Sequence, residues 1–225
     1  MTRVVVIGGS SGIGLATARL CADKGWEVIV ASRDPDRAEV DAEKVVLDVT
    51  DAAASRELFE RLGPVDHLVS STVLRVGGPV RELDLDLARR AFETKLWGPL
   101  AAIQAADVRE SIVLVSGVFA HTPSPGGAAT AAVNGATEAL VRILAVELAP
   151  TRVNAVCPGI IDTPLWSPLE DEARDAMFER LASALPAGRV GGPEDVAHAI
   201  WLLLTNDFVT GTVLGVDGGH RLAAP

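Results

Sequence analysis

Short apolar runs alternate along the chain with longer segments in which apolar residues recur every three or four positions. The short runs are rich in β-branched residues and predict strands over residues 4–7, 27–31, 44–47, 66–69, 111–115, 152–156 and 213–216. The longer segments predict helices over residues 13–23, 52–62, 86–106, 127–148 and 193–204. The chain is therefore predicted to be an α/β protein.

The first predicted strand, residues 4–7, is Val-Val-Val-Ile and has no polar face. A continuous apolar strand is typical of a parallel sheet covered by helices on both faces, and strand–helix alternation requires right-handed crossovers. We therefore predict a doubly wound, Rossmann-type, seven-stranded parallel sheet in a single domain over residues 1–225. The irregular segment 160–192, with a helix predicted near 173–184, would form a substrate lid over the carboxyl ends of the strands.

Composition narrows the possible partners. With 30 acidic and 20 basic residues the formal net charge is −10, so the chain would repel the phosphate backbone and no nucleic-acid partner is expected. No apolar run reaches the roughly 18 residues of a membrane span, and the amino terminus lacks a secretory signal, which predicts a soluble, cytoplasmic protein without a membrane partner. Cys21 and Cys157 have no spacing typical of a disulfide or a metal site, so reduced thiols and no metal are expected.

A glycine-rich turn, residues 8–14, connects the first predicted strand to the first helix and reads Gly-Gly-Ser-Ser-Gly-Ile-Gly. Gly8 permits the tight turn, Gly12 lets the backbone approach a pyrophosphate, and Gly14 allows the helix to pack closely on the strand. The free amides at the start of the helix attract anionic oxygens. A glycine turn alone is a weak signal, but its position after the first strand of an α/β chain favours dinucleotide binding.

The spacing Gly-x-x-x-Gly-x-Gly resembles that of the short-chain dehydrogenase/reductase family. Residues 47–50 resemble the family segment in which an aspartate meets the adenine, 154–164 resemble its Pro-Gly loop beside the nicotinamide, and 216–219 resemble its C-terminal signature. The resemblance extends over essentially the whole chain and implies a nicotinamide dinucleotide cofactor. The residues that it assigns to cofactor binding are Gly8, Ser10, Ser11, Gly12, Ile13, Gly14, Ser32, Arg33, Asp48, Val49, Ser70, Ser71, Pro158, Gly159, Ile161 and Thr163.

Ser32 and Arg33 indicate which dinucleotide is bound. They follow the second predicted strand, where an NAD-preferring relative would carry a carboxylate that repels a 2′-phosphate. The guanidinium of Arg33 offers several donors to such a phosphate and Ser32 adds a hydroxyl, so the predicted cofactor is NADP(H). In the alternative interpretation Arg33 is a solvated residue that pairs with Asp34 or Asp36, and the basic residue that some NADP-binding relatives carry at Ser11 is absent.

The proton-transfer residues of the family are missing. The chain has no tyrosine, and matching the motifs places Thr130 at the tyrosine position, Asn134 at the lysine, Gly117 at the serine and Lys95 at the asparagine. The phenol of the family, with a pKa of about 10, needs a nearby ammonium to act as an acid near neutral pH. Thr130 and Asn134 cannot replace that pair, so the cofactor motifs survive while the usual proton relay is lost.

Asp162, Lys95 and Ser116 are the candidate catalytic residues. Asp162 would stabilise a cationic imine or iminium whose reduction needs only hydride, unless it caps the helical turn that follows it. Lys95 would donate a proton if burial lowers its pKa, or it is an exposed partner of Glu93. Ser116 precedes the serine position of the family, and His121 is a further possible donor near neutral pH, or a solvated loop residue.

These observations predict an NADP(H)-dependent reductase of unusual mechanism that transfers hydride to an activated apolar substrate, namely an imine or iminium, an enone or a carbonyl. The alternatives are a catalytically degenerate NADP(H)-binding sensor and a non-redox isomerase, cyclase or lyase. The expected walls of an apolar pocket are Val118, Phe119, Leu165, Trp166, Met177 and Phe178. The resemblance also implies a homodimer or homotetramer that pairs through helices 86–106 and 127–148.

Overall fold

The computed structural model describes residues 1–223, and all seven predicted strands form one parallel sheet of order β3-β2-β1-β4-β5-β6-β7. This order confirms the doubly wound Rossmann-type prediction, because the chain moves outward from β1 in one direction and then crosses over to continue in the other. The strands are β1 (Arg3–Ile7), β2 (Glu27–Ser32), β3 (Glu43–Val46), β4 (Val65–Ser70), β5 (Val108–Val115), β6 (Arg152–Pro158) and β7 (Val213–Val216).

Helices cover both faces of the sheet. The described helices are α1 (Gly12–Asp23), α2 (Ala52–Leu62), α3 (Leu85–Phe92), α4 (Gly98–Ala105), α5 (Ala128–Glu147), α6 (Asp171–Ala184) and α7 (Pro193–Thr205). Residues of α1 and α7 pack on one face of the sheet, and residues of α2, α4 and α5 pack on the other. The central strands are therefore buried between two helical layers.

The apolar strand β1 shows why two layers are needed. Val4 and Val6 belong to the hydrophobic core that contains α1 and α7, whereas Val5 and Ile7 belong to the core that contains α2, α4 and α5. None of these four side chains is more than 1% exposed. Alternate side chains of a strand point to opposite faces, so a strand without polar residues must be buried on both.

The prediction of a single regular helix over residues 86–106 is wrong. The structure interrupts it with a π-helical turn over Glu93–Trp97, between α3 and α4. Pro99 lacks the amide that a continuous helix requires at this point, and Gly98 lies so close to the carbonyl oxygen of Val49 that a side chain there would be 2.5 Å from it. Single π turns inside helices are frequent at functional sites, and this one contains Lys95.

Two helices differ from the rest in exposure. By length and composition alone, α5 passes the test for a membrane-spanning helix, but Val133, Thr137 and Val141 along it are buried against the rest of the protein. By contrast, α6 has no fully buried residue. Weakly packed surface elements open at low energetic cost. The lid formed by residues 160–192 stays a prediction.

Candidate active site

The glycine turn, residues 8–14, has the geometry that its sequence predicts. Gly8 has a φ of +79°, and a side chain there would lie 2.8 Å from the carbonyl oxygen of Ser71. A side chain at Gly14 would overlap the carbonyl oxygen of Gly8, because non-bonded carbon and oxygen atoms cannot approach that closely. Gly8 therefore supplies a backbone conformation that L residues rarely adopt, and Gly14 supplies the close approach of α1 to the turn.

The amino terminus of α1 is open to an anion. Its first turn contains no acidic residue, and the side chain of the N-cap residue Ser11 accepts no capping hydrogen bond. The first amides of a helix have no acceptor inside the helix and attract phosphate oxygens. Thr163 lies across this end of the helix, since a side chain at Gly12 would be 3.3 Å from its Cβ. The arrangement fits a pyrophosphate.

Ser32 and Arg33 lie at the end of β2, beside the glycine turn. The Ser32 hydroxyl is buried and has no hydrogen-bond partner among residues 1–223, an arrangement that a bound polar group would relieve. Arg33 is exposed and forms no ion pair with Asp34, Asp36 or any other residue that the structure describes, so the alternative pairing predicted for it is not formed. An orphaned hydroxyl beside an unpaired guanidinium fits a phosphorylated ribose.

Asp48 and Val49, predicted to meet the adenine, follow β3. Asp48 is exposed, and hydrogen bonds from the hydroxyl and amide of Thr50 lower its pKa, with a smaller contribution from the charge of Arg33. The carboxylate therefore stays ionised and faces the same region as Arg33. The side chain of Val49 is 5% exposed and packs in the core.

The remaining predicted cofactor residues also lie at the carboxyl ends of strands. Ser70 is buried at the end of β4, and the amide of Ser71 donates to the carbonyl oxygen of Ile7 at the end of β1. After β6, Gly159 donates to Val216 and packs against the backbone of the C-terminal signature. Buried in the same loop are Pro158 and Ile161, whereas Ser10 and Ile13 are partly exposed in the glycine turn.

The three positions that carry serine, tyrosine and lysine in the family lie together, but they contain no ionisable group. A side chain at Gly117 would be 2.8 Å from Nδ2 of Asn134, whose buried Oδ1 has no partner among the described residues. The hydroxyl of Thr130 donates to the carbonyl oxygen of Val76 at 2.8 Å. Gly117, Thr130 and Asn134, the positions matched by sequence to the family's serine, tyrosine and lysine, therefore carry no ionisable side chain.

A polar cluster lies one helical turn further along α5, and we define it as Lys95, Ser116, His121, Glu138 and Cys157. The Ser116 hydroxyl lies 2.8 Å from Oε1 of the buried Glu138, and Nε2 of His121 lies 2.8 Å from its Oε2. Nζ of Lys95 donates to the carbonyl oxygen of Ser116 at 2.9 Å. The structure thus brings two of the candidate catalytic residues, Lys95 and Ser116, into contact.

The electrostatics of the polar cluster follow from its burial. Desolvation lowers the pKa of Lys95 to about 8, against the opposing effects of Cys157 and Glu138. Desolvation also raises the pKa of the Cys157 thiol to about 11, so that thiol stays protonated at neutral pH. Donor atoms of His121, Glu138 and Cys157 lie within 4.8 Å of one another. Because Glu138 is shared by Ser116 and His121 and lies near the ammonium of Lys95, we interpret the cluster as a hydrogen-bonded charge network.

The structure decides between the alternative roles that the sequence allowed for Asp162 and His121, as an N-cap and as a solvated loop residue respectively. The amide of Asp162 donates to the carbonyl oxygen of Gly191, while its side chain is exposed and no hydrogen bond or ion pair within residues 1–223 joins it to Lys95 or Ser116. The helical turn Pro164–Trp166 begins after Thr163, so Asp162 is not its N-cap. His121 pairs with Glu138 and is not a freely solvated residue.

A cleft of about 830 Å³ opens at the carboxyl edge of the sheet, and we call it the substrate cleft. It is formed by the loop after β4, the loop that precedes α5, the start of the lid segment 160–192 and one residue of α3. The lining residues are Arg75, Val76, Gly77, Gly78, Pro79, Leu87, Pro125, Gly126, Pro168 and Leu169.

The six expected pocket walls do not line the substrate cleft. Val118 is 3% exposed and belongs to the interior. Trp166 and Phe178 pack edge to face with ring centroids 6.5 Å apart, behind the cleft lining. The cleft walls, which are apolar side chains and glycines apart from Arg75, come instead from loops that sequence patterns describe poorly.

Glu138 and Arg75 are the residues of this region that the sequence analysis did not single out. Glu138 occurs four residues after Asn134, at the spacing that places two side chains on one helical face. Because Asn134 occupies the position matched to the family's lysine, this spacing could have indicated from the sequence that Glu138 faces the same site. Arg75 lies in a loop without a periodic pattern, and no comparable signal identifies it.

Comparisons with known proteins agree with this geometry. A family model described as enoyl-(acyl carrier protein) reductase matches residues 7–221. Cis-4-hydroxycyclohexanecarboxylate dehydrogenase of Sinomonas cyclohexanicum is 36% identical, over 96% of this chain and 95% of its own length. Short-chain dehydrogenase/reductase ATR9 of Stachybotrys chlorohalonatus is 31% identical, over 97% and 96%. A solved small-chain dehydrogenase in complex with NADPH superposes with a TM-score of 0.91 and 36% identity, covering 99% of both chains. The chain therefore belongs to the short-chain dehydrogenase/reductase family.

Proposed function

We propose that this chain is an NADP(H)-dependent reductase in which Lys95 supplies the proton that a tyrosine supplies in its family. The observation that supports the proposal most directly is the partly buried ammonium of Lys95, whose Nζ donates to the carbonyl oxygen of Ser116, just after β5 and one residue before the serine position. The glycine turn, Ser32 and Arg33 would hold the phosphate groups of the cofactor. NADPH, when bound, provides hydride to the substrate carbon.

Reduction of a carbonyl leaves negative charge on its oxygen, and a proton must reach that oxygen. An ammonium with a pKa of about 8 is a more effective acid near neutral pH than an ordinary lysine, whose pKa is about 10.4. The carboxylate of Glu138 offsets the charge of Lys95, and the carbonyl oxygen of Ser116 orients it. Ser116 and Glu138 are accordingly positioning residues in this proposal, whereas Lys95 is the proton donor.

Asp162 supports a second candidate, the reduction of an iminium or imine. Its exposed carboxylate has no partner among the residues that the structure describes, so it is available to stabilise a cationic substrate. Such a substrate needs hydride but no proton from Lys95. Loss of turnover in Asp162→Ala with retention in Lys95→Met would therefore favour the iminium substrate.

Replacement of Arg33 by alanine is expected to raise the Kd for NADPH about tenfold to 100-fold and to leave the Kd for NADH nearly unchanged. The variant loses a charged hydrogen-bond donor to the 2′-phosphate, worth about 1.5–3 kcal/mol. Titration calorimetry with both nucleotides measures the effect.

Arg37→Ala is the matched control, because Arg37 is an exposed arginine four residues further along the chain. It changes the net charge equally and should leave both dissociation constants unchanged. An equal loss of NADPH and NADH binding in Arg33→Ala would contradict a 2′-phosphate contact. If the unaltered protein binds NADPH but no carbonyl or iminium compound oxidises it, the sensor and non-redox alternatives gain support.

We also propose that the protein is cytoplasmic and assembles as a homodimer or homotetramer through α5. Ile143 and Val146 on this helix are 56% and 77% exposed, and apolar side chains on one helical face favour helix–helix contact. Light scattering of the unaltered protein and of Val146→Asp tests the assembly. A lower molecular mass of Val146→Asp than of the unaltered protein supports pairing through α5.

A further inference from the structure

The substrate cleft contains a single charged residue. Nine of its ten lining residues are apolar side chains or glycines, and the tenth is Arg75. The nearest acidic residue along α3, Asp86, already forms an ion pair of 2.6 Å with Arg89. An unpaired cation in an apolar cleft is a specific feature in a chain whose net charge is −10.

The guanidinium of Arg75 lies over the indole ring of Trp166. Its Cζ lies 5.5 Å from the centroid of the Trp166 ring, within the range of a cation–π interaction. Trp166 is itself fixed, because its Nε1 donates to the carbonyl oxygen of Ile161 at 2.9 Å. Arg75 forms no ion pair with any described residue, so its N–H groups are available to an anionic ligand.

The cleft is joined to the positions where reaction occurs in the family. The hydroxyl of Thr130, at the tyrosine position, donates to the carbonyl oxygen of Val76, which is the neighbour of Arg75. The amide of Gly78 donates to the carbonyl oxygen of Gly126 at 3.0 Å and so closes the wall between the two loops. A molecule in the cleft would therefore extend from Arg75 toward the site of hydride transfer.

We propose that Arg75 is the carboxylate-binding residue of this cleft and that the substrate is an apolar compound with a carboxylate group. The inference rests on the proposed function, because it assigns the cleft to the reductase substrate. The N–H groups of a guanidinium match the two oxygens of a carboxylate, and a pair of charge-assisted hydrogen bonds results. Val76, Pro79 and Leu169 then contact the hydrocarbon part of the substrate.

The test compares two probes that differ in charge but hardly in shape, cyclohexanecarboxylate and cyclohexanecarboxamide. Binding of each to the NADPH-saturated protein is measured by calorimetry or by ligand-observed NMR. The carboxylate is expected to bind at least about tenfold more tightly than the amide, and Arg75→Gln should abolish this preference. Since Arg75 is exposed, the variant should fold normally, which its circular dichroism spectrum and NADPH affinity would verify.

Arg81→Gln is the control, because Arg81 is exposed six residues further along the same loop and does not line the cleft. Equal binding of the two probes, no saturable binding of the carboxylate, or an equal loss in Arg81→Gln overturns the inference. Failure of the unaltered protein to bind NADPH contradicts the proposed function, whereas intact NADPH binding without a preference for the carboxylate contradicts this inference alone.

Discussion

Lys95→Met is expected to lower the rate of NADPH-dependent carbonyl reduction about 10²-fold to 10⁴-fold, with NADPH affinity retained, because it removes the proposed general acid. Methionine keeps the length of the side chain but cannot protonate the substrate oxygen. The measurement is single-turnover oxidation of NADPH, followed by absorbance, with calorimetry to establish the NADPH affinity. Retained turnover in this variant would exclude Lys95 as the proton donor.

The pH dependence of the same reaction gives an independent readout. Reduction requires the ammonium form of Lys95, so kcat should fall as the pH rises through about 8, the pKa of this buried group. Oxidation of the product requires the neutral amine and should show the opposite trend. Lys24→Met, which removes an exposed lysine at the end of α1, serves as the control and should keep both profiles.

The sheet and most helices could be predicted because the spacing of apolar residues within each short segment indicates a strand or a helix. Strand β1 has no polar residues, which indicates that both of its faces are buried. Helix α2 was predicted with the same bounds that the structure has, Ala52–Leu62. The π turn at Lys95 was missed because the apolar periodicity continues across it, although Pro99 is visible in the sequence. The close approach of Gly98 to Val49 is a tertiary contact that the sequence does not show.

The polar cluster could not be predicted from the sequence. Glu138 looks like an ordinary helical carboxylate, which usually faces solvent. Its burial depends on which face of α5 lies over the ends of β5 and β6, and only the assembled fold fixes that. The position of Arg75 over Trp166 depends likewise on two loops that approach one another across the cleft.

The arrangement of residues around the start of α5 is consistent with the proposed proton donor Lys95. Asn134 and Glu138 are one helical turn apart on α5, and they lie beside Gly117 and Ser116, two consecutive residues after β5. In the proposed mechanism the ionisable groups have shifted by one turn along the helix, and Lys95 reaches them from the neighbouring π turn. The proposed pyrophosphate site lies on other elements, the glycine turn and the start of α1.

Gly14→Ala is expected to lower the affinity for NADPH more than about a hundredfold and to lower the free energy of unfolding by about 1–3 kcal/mol. The added methyl group would overlap the carbonyl oxygen of Gly8, so either the glycine turn or the start of α1 must shift. Backbone amides that hold the pyrophosphate would move with it, and each charge-assisted hydrogen bond lost costs about 1.5–3 kcal/mol. Calorimetry measures the affinity, and urea denaturation measures the stability.

Gly135→Ala provides the same chemical change at a position in α5 where no atom lies within 4 Å of the added methyl group. Alanine is the better helix former by about 0.5–1 kcal/mol, so this control should increase stability slightly and leave NADPH binding unchanged. If Gly14→Ala lowers the free energy of unfolding and Gly135→Ala raises it, the loss at Gly14 is attributable to the contact with Gly8. Unchanged NADPH affinity in Gly14→Ala would show instead that the glycine turn does not hold the pyrophosphate.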